Sequence, residues 1–234
     1  MKVKDLTNLF KWNTKVELKN TERKVIETLY VRLVGDIDYS HAQQCGLIES
    51  RKMRKRLKDT STLDYQSLFL DLDEKEVGDL IFGITLAEMG NFRDLAVEEL
   101  GTDILKLSEL PDNPSLEDRE NQLEAEESAE SEKITLLRDK MDEKADERRE
   151  ELKKKTVKEL RDIYVVSSTN VKCLEIFTVV FREYCVFVGT FRDPKFTQIA
   201  FDNFGEFRNA SPSLKRQLTD AYLKLELTGD QLKN

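Results

Sequence analysis

Near the N-terminus, polar and apolar residues alternate over two short runs. The first run is TKVELK (14–19) and the second is VIETLYVRLV (25–34). In the second run Leu29 and Val31 fall on one face and Tyr30 falls on the other, which is the period of a strand that buries one side. Because the polar residues NTER separate the two runs, the pattern predicts a β-hairpin.

The apolar residues then change to a helical period. Between residues 38 and 59 polar side chains fill most positions, and the remaining ones recur at intervals of three to five residues. The pattern predicts an amphipathic helix whose inner stripe consists of Ala42, Cys45, Ile48, Met53 and Leu57.

Two further helices are predicted before residue 101. Asp73 and Glu76 stand three residues apart, as in a capping box, ahead of an apolar run at helical spacing. That run consists of Val77, Leu80, Ile81 and Ile84. A second, short helix carries Phe92, Leu95, Ala96 and Leu100 and ends at Gly101, a residue type that favours helix termination.

The composition changes at SELPDNPSLED (108–118), where two prolines indicate a linker. Residues 117–132 hold eight acidic residues and one basic residue. With so few apolar groups to bury, this segment is expected to be disordered or a solvated helix. Residues 133–155 mix both charges around a thin apolar stripe, which favours a long exposed helix.

Apolar residues return after Thr156. Between Leu174 and Val188 they occupy more than one helical face, which predicts a helix buried on several sides. FDNFGEF (201–207) is predicted to be a short turn or helix. A last helix is predicted to have Ser211 as its N-cap and Pro212 at its first position. Its inner stripe consists of Leu214, Leu218, Ala221, Tyr222 and Leu225.

Together these elements predict a mainly α fold with a small N-terminal β-hairpin, of the α+β class. Two helical lobes would be joined by a long charged arm, either helical or disordered. The predicted divisions are an α+β domain at 1–107, a charged linker or extended helix at 108–155, and a helical domain at 156–234.

Composition indicates the size of the core and the cellular location to expect. The chain has 234 residues, of which 39% are hydrophobic, enough for a sizeable core. Charged residues make up 36%, and the formal net charge is −8. We find no apolar run long enough to cross a membrane and no signal peptide at the start, so a cytoplasmic location is expected. The three cysteines form no CxxC pair, and we expect no disulfide framework.

The sequence offers little chemistry. His41 is the sole histidine, so any nucleophile and base pair would require it, and a helix-surface role is the simpler interpretation. Glycines are not clustered as in a phosphate-binding loop. The carboxylates Asp71, Asp73 and Glu74 have the chemistry to hold Mg²⁺, but helix capping explains them better. We therefore expect a non-enzymatic protein without catalytic residues, metal or cofactor.

The strongest charge feature is the basic stretch, which comprises Arg51, Lys52, Arg54, Lys55, Arg56 and Lys58. Three interpretations remain open at this point. It could neutralise phosphates of a nucleic acid, form the solvated face of a helix, or contact a protein. The acidic balance of the chain and the lack of interleaved aromatic residues disfavour nucleic acid. The acidic residues of 117–132 could also pair with it, within one chain or between copies.

Two stretches resemble tail assembly chaperones of long-tailed bacteriophages. LVGDIDYSHAQQCGLIESRKMRKRLKD, residues 33–59, is similar to the N-terminal part of some of these proteins. Residues 192–234 resemble their usual end, in which an aromatic segment precedes a helix that ends in an AYLKL-like pattern. The resemblance covers about 70 of the 234 residues. The charged segment 117–155 is not a feature of that family.

The resemblance implies a mostly helical protein that binds the tape-measure protein and recruits tail-tube subunits during assembly. The expected location is then the host cytoplasm. The extra charged segment leaves open a structural protein that stays in the virion, and a nucleic-acid-associated protein is the other alternative. Besides the basic stretch, the predicted partner-contact residues are Phe201, Phe204, Phe207 and Tyr222.

Overall fold

The computed structural model describes residues 13–19, 25–101 and 116–231. The described strands are β1 (Asn13–Lys19), β2 (Val25–Arg32) and β3 (Thr190–Phe191). The described helices are α1 (Asp36–Lys58), α2 (Leu63–Gln66), α3 (Val77–Leu100), α4 (Leu116–Leu152), α5 (Val157–Val188), α6 (Phe204–Asn209) and α7 (Pro212–Gln231), with a 3₁₀ turn at Ser67–Phe69. The predicted class, mainly α with a small antiparallel sheet near the N-terminus, is confirmed.

The chain forms two compact units that differ from the predicted divisions. The first unit combines residues 1–56 with residues 172–234, and the second consists of residues 57–171. The chain therefore passes from one unit to the other inside α1 and again inside α5. The predicted boundary at residue 108 relied on prolines and a change in composition, and neither shows which segments contact each other.

The first unit is built on a three-stranded antiparallel sheet in the order β1-β2-β3. β1 and β2 pair as predicted, with Val16 opposite Leu29, while the NTER connection lies outside the described residues. β3 pairs with the end of β2, where Val31 lies opposite Thr190. The backbone N–H of Arg32 also donates to the carbonyl of Gly189, 2.9 Å away. The C-terminal half of the chain thus completes a sheet that the N-terminal hairpin begins.

Helices cover the inner face of this sheet. The buried side chains come from the sheet, α1, α5, α6, α7 and the segment before α6. They are Leu18, Leu29, Val31, Ala42, Cys185, Val186, Ala200, Phe201, Phe207, Leu218, Tyr222 and Leu225. α7 starts as predicted, since the Ser211 hydroxyl accepts a hydrogen bond from the Leu214 N–H at 3.3 Å and Pro212 occupies the first helical position.

The packing of α1 on α5 corrects the predicted inner stripe of α1. Ala42 and Leu57 are buried, but Ile48 is 51% exposed. The buried position near it is Gly46, where a Cβ atom would lie 2.7 Å from Cδ2 of Phe177 and 2.9 Å from its carbonyl oxygen. Because two helices approach closely only where side chains are small, this glycine sets the face of α1 that turns inward.

The second unit packs α2, α3, α4 and the first half of α5 around its own core. The buried apolar side chains in this unit are Leu57, Leu68, Leu80, Ile81, Ile84, Phe92, Ala96, Ala145, Leu152, Leu160 and Tyr164. α3 is one continuous helix and not the two helices predicted, because Gly90 is accommodated within it. The helix does end at Gly101, whose φ of 75° is rarely adopted by residues with a side chain.

The long exposed helix predicted for residues 133–155 is wrong for its C-terminal part. The α4 side chains Ala145 and Leu152 are 1% and 0% exposed. The guanidinium of Arg148 donates to both carboxylate oxygens of Glu88 on α3, at 2.8 and 3.2 Å. The Ser167 hydroxyl of α5 donates to the same carboxylate at 3.0 Å. The Glu88 carboxylate therefore links three helices.

Replacing Leu218 by Ala tests the docking of α7. Leu218 is 0% exposed, so the truncation should lower the free energy of unfolding by about 2–5 kcal/mol. The matched exposed change on the same helix, Arg216→Ala, should cost less than about 0.5 kcal/mol. Urea unfolding measures both, and similar midpoints for the two variants would contradict the buried position of Leu218.

A pair of glycine variants tests the approach of α1 to α5. Gly46→Ala should destabilise the protein by about 1–3 kcal/mol, because the new methyl group overlaps Phe177. Gly90→Ala, inside α3 with no atom within 4 Å of its added Cβ, should instead stabilise it by about 0.5–1 kcal/mol. Urea unfolding of both variants gives the sign of each effect, and stabilisation by both would refute the close approach.

The Glu88 link predicts a third stability effect. Glu88→Ala leaves the Arg148 guanidinium, whose side chain is 24% exposed, without its main acceptor. The free energy of unfolding should then fall by about 1–3 kcal/mol. Glu98→Ala, an exposed glutamate on the same helix, is the control and should change it by less than about 0.5 kcal/mol. Thermal or urea unfolding would contradict the link if both variants resemble the wild type.

Candidate interaction surface

The basic stretch occupies the last turns of α1, and all six of its side chains are exposed. Arg51 to Arg56 belong to the first unit and Lys58 to the second. Met53 is half-buried, so the apolar residue within this run turns away from solvent. Cationic side chains at the C-terminal end of a helix also interact favourably with its dipole, which stabilises them where they are.

Within the described residues, some charges of this stretch are paired and others are not. Lys52 forms an ion pair with Glu49 at 2.7 Å, one turn earlier. Arg56 donates to the sulfur of Met53 at 3.7 Å. Within the described ranges, Arg51 and Lys55 form no ion pair. Their charges therefore remain available to an acidic group from outside.

Apolar side chains lie beside these charges. Leu47 and Ile48 are 47% and 51% exposed. On a helix, positions 48, 51, 52 and 55 share one face, because they are spaced by three, four and seven residues. We call this face the outer strip of α1; it consists of Ile48, Arg51, Lys52 and Lys55. An apolar residue next to cations is typical of a protein contact and has no use against a phosphate backbone.

The outer strip was only partly predictable from sequence. Six basic residues within eight positions indicate a charged surface, but the predicted helical stripe placed Ile48 inside. The signal that could have corrected this is Gly46, because a glycine on a helix face can mark a close approach to a neighbouring helix. Among Phe, Tyr and Trp, α1 contains Tyr39 alone. Its ring packs on that of Phe181, with 4.8 Å between the ring centroids. The outer strip of α1 therefore has no Phe, Tyr or Trp ring on which a nucleic-acid base could stack.

The predicted contact role is wrong for three of the four C-terminal aromatic residues. Phe201, Phe207 and Tyr222 are 8%, 0% and 2% exposed. Phe204 is half-buried, and its ring centroid lies 5.2 Å from that of Tyr184. The side chain of Asn203 accepts from the Glu206 N–H at 2.9 Å and starts α6, and this turn directs the neighbouring aromatic rings into the core. Their burial explains why the segment is rich in aromatic residues.

The groups considered for chemistry already have structural roles or are exposed. His41 is exposed. Asp73 accepts from the Lys75 N–H at 2.9 Å, and Glu74 pairs with Arg161 at 2.8 Å. Glu76 directly precedes α3, and its side chain makes no capping hydrogen bond. The predicted capping box is therefore not formed. Across the described residues, no group of three or more His, Cys, Asp or Glu side chains is placed to hold a metal ion.

Neither Cys45 nor Cys185 is an activated thiol. Cys173 and Cys185 are buried, and Cys45 is half-buried. Burial raises the pKa of Cys185 to about 12, although a hydrogen bond with Tyr222 opposes the shift. Burial likewise raises the pKa of Cys45 above its usual value. Because the thiolate is the reactive form of cysteine, both remain thiols at neutral pH.

Over the residues described, none of the helices combines the length and apolar character that crossing a membrane requires. Comparison of the chain with protein-family models, with curated proteins and with solved structures gives no match.

Proposed function

We propose that this protein acts without catalysing a reaction, as an assembly adaptor that binds other proteins through the outer strip of α1. The observation that carries the proposal is the exposure of Ile48 beside Arg51 and Lys55, whose charges have no partner among the described residues. Exposed apolar groups mark interaction surfaces when they adjoin polar groups that can pair with a partner.

The chemistry of the strip defines the kind of partner. Two cations, Arg51 and Lys55, one helical turn apart, match carboxylates that are also one turn apart on a facing helix. Ile48 at the end of the strip requires an apolar residue on the same face of that helix. The expected partner is therefore an acidic amphipathic helix. Opposite charges would speed the encounter, and the apolar contact would slow dissociation.

The resemblance to tail assembly chaperones narrows this proposal further. In that setting the partners are the tape-measure and tail-tube proteins, and the location is the cytoplasm of the infected host. A structural protein that remains in the virion would use the same surface, and the extended helix α4 fits either role. Because the basic stretch could also bind phosphates, the test includes binding to nucleic acid.

The test is binding of this chain to a purified tape-measure protein and a purified tail-tube protein. The double variant Arg51→Glu with Lys55→Glu should weaken that binding about tenfold or more, because two attractive contacts become repulsive. Ile48→Ser should also weaken it. The matched control is Arg93→Glu with Lys172→Glu, which makes the same charge change at two exposed sites elsewhere and should leave affinity unchanged. Isothermal titration calorimetry measures each affinity.

A parallel gel-shift experiment with duplex DNA separates the alternative. We expect no shift by the wild-type protein near physiological salt. A shift that weakens steeply with salt, is lost in the double variant and is unaffected by Ile48→Ser would favour nucleic-acid binding instead. Equal protein binding by the double variant and its control would remove the outer strip from the proposed function.

A further inference from the structure

Among the described residues, the strand β1 lies at an edge of the sheet in the first unit. The strand order is β1-β2-β3, and within the described part of the chain no strand pairs with the outer side of β1. It spans seven residues, NTKVELK, without a proline. An edge strand of this kind presents a row of backbone donors and acceptors that can pair with another strand.

The side chains of β1 are complementary to a second copy of themselves. If two β1 strands pair antiparallel about Val16, each Val16 lies opposite its counterpart. Lys15 and Glu17 form an ion pair within each strand at 2.6 Å. In the paired strands Lys15 also lies opposite Glu17 of the second copy, and Glu17 opposite its Lys15. A lysine on an edge strand normally discourages pairing, but here the register places an opposite charge across from it, twice in each dimer.

From this complementarity we infer that the protein forms a two-fold symmetric dimer in which the β1 strands of two copies pair antiparallel about Val16. The two sheets become one continuous six-stranded sheet. The occupant of the open edge is thus a second copy of this chain. This inference is independent of the proposed function, because it concerns β1 and not the outer strip of α1.

The faces of the sheet agree with this register. Lys15 and Glu17 are exposed, whereas Val16 is half-buried and Leu18 is buried against the core. In an antiparallel pair, residues that lie directly opposite point to the same face. The charged side chains of both copies therefore remain on the exposed face, and the apolar ones remain on the face that the helices cover. No charge has to be buried to form the dimer.

The surface beside the edge leaves room for the second copy. A groove of ≈ 550 Å³ runs between β1 and α7, lined by residues that include Val16, Gln217, Asp220, Ala221 and Lys224. In the dimer the second α7 lies on the same side of the continuous sheet and runs antiparallel to the first. Asp220 and Lys224 have opposite charges and stand one turn apart, so two antiparallel copies of this face also match in charge.

Sedimentation equilibrium over a concentration series tests the dimer with two charge variants. In Lys15→Glu, the introduced carboxylate faces Glu17 of the second copy. In Glu17→Lys, the introduced ammonium faces Lys15. Each variant alone should dimerise about tenfold more weakly or not at all, because both cross-strand pairs become repulsive. Both positions are exposed, so circular dichroism should show an unchanged fold.

The decisive sample is an equimolar mixture of the two variants, in which every cross-strand pair again has opposite charges. It should recover heterodimers with an affinity close to that of the wild type. The control is Lys195→Glu, the same charge change on the loop that follows β3 at the other edge of the sheet, which should dimerise like the wild type. A monomeric wild-type protein at the highest attainable concentration would refute the inference. So would undiminished dimers of both variants, or a mixture that stays monomeric.

Discussion

Helix α5 is the element on which both units depend. Its first half buries Leu160 and Tyr164 in the second unit, and its second half buries Cys185 and Val186 in the first. The Tyr164 hydroxyl donates to the carbonyl of Leu68 in the 3₁₀ turn. The second unit is the continuous segment 57–171, and α5 carries the chain out of it and back into the first unit. This explains why the first unit joins residues from both ends of the sequence.

Local sequence patterns predicted the helices and strands better than the tertiary contacts between them. The alternation in β1 and β2, the length of α1 and the Ser211 N-cap are each set within a few neighbouring residues, and each is found in the structure. β3 could not be predicted, because two residues hold no periodicity and the strand exists only through pairing with β2. The inward face of α1 was misjudged for a related reason. Gly46 is buried by Phe177 on a distant segment, which hydrophobicity along the chain does not reveal.

The candidate site also divides into charges that the sequence predicts and side-chain exposure that it does not. Charge is visible in sequence, so the basic stretch was predicted residue by residue. Exposure is a tertiary property, so Ile48 was assigned to the core and Phe201, Phe207 and Tyr222 to a contact surface, and the structure reverses both assignments. The aromatic residues are buried because α6 turns the chain back onto α5, whose Phe187 lies 6.4 Å from Phe207 between ring centroids. An aromatic segment near a chain end is thus no evidence for a binding surface by itself.

The two proposed surfaces belong to the same unit and strengthen each other if both are used. The proposed binding through the outer strip of α1 relies on charges that salt screens strongly, so a single copy is expected to hold its partner weakly. Pairing through β1 depends mainly on backbone hydrogen bonds, which salt affects less. A dimer presents the outer strip twice. It can therefore bind two acidic helices of one partner, or two copies of a repeated partner. The second contact then forms at a high effective concentration, which raises the affinity without any new kind of contact. Under the two proposals taken together, self-association sets how tightly the partner is held, while the outer strip sets which partner is chosen.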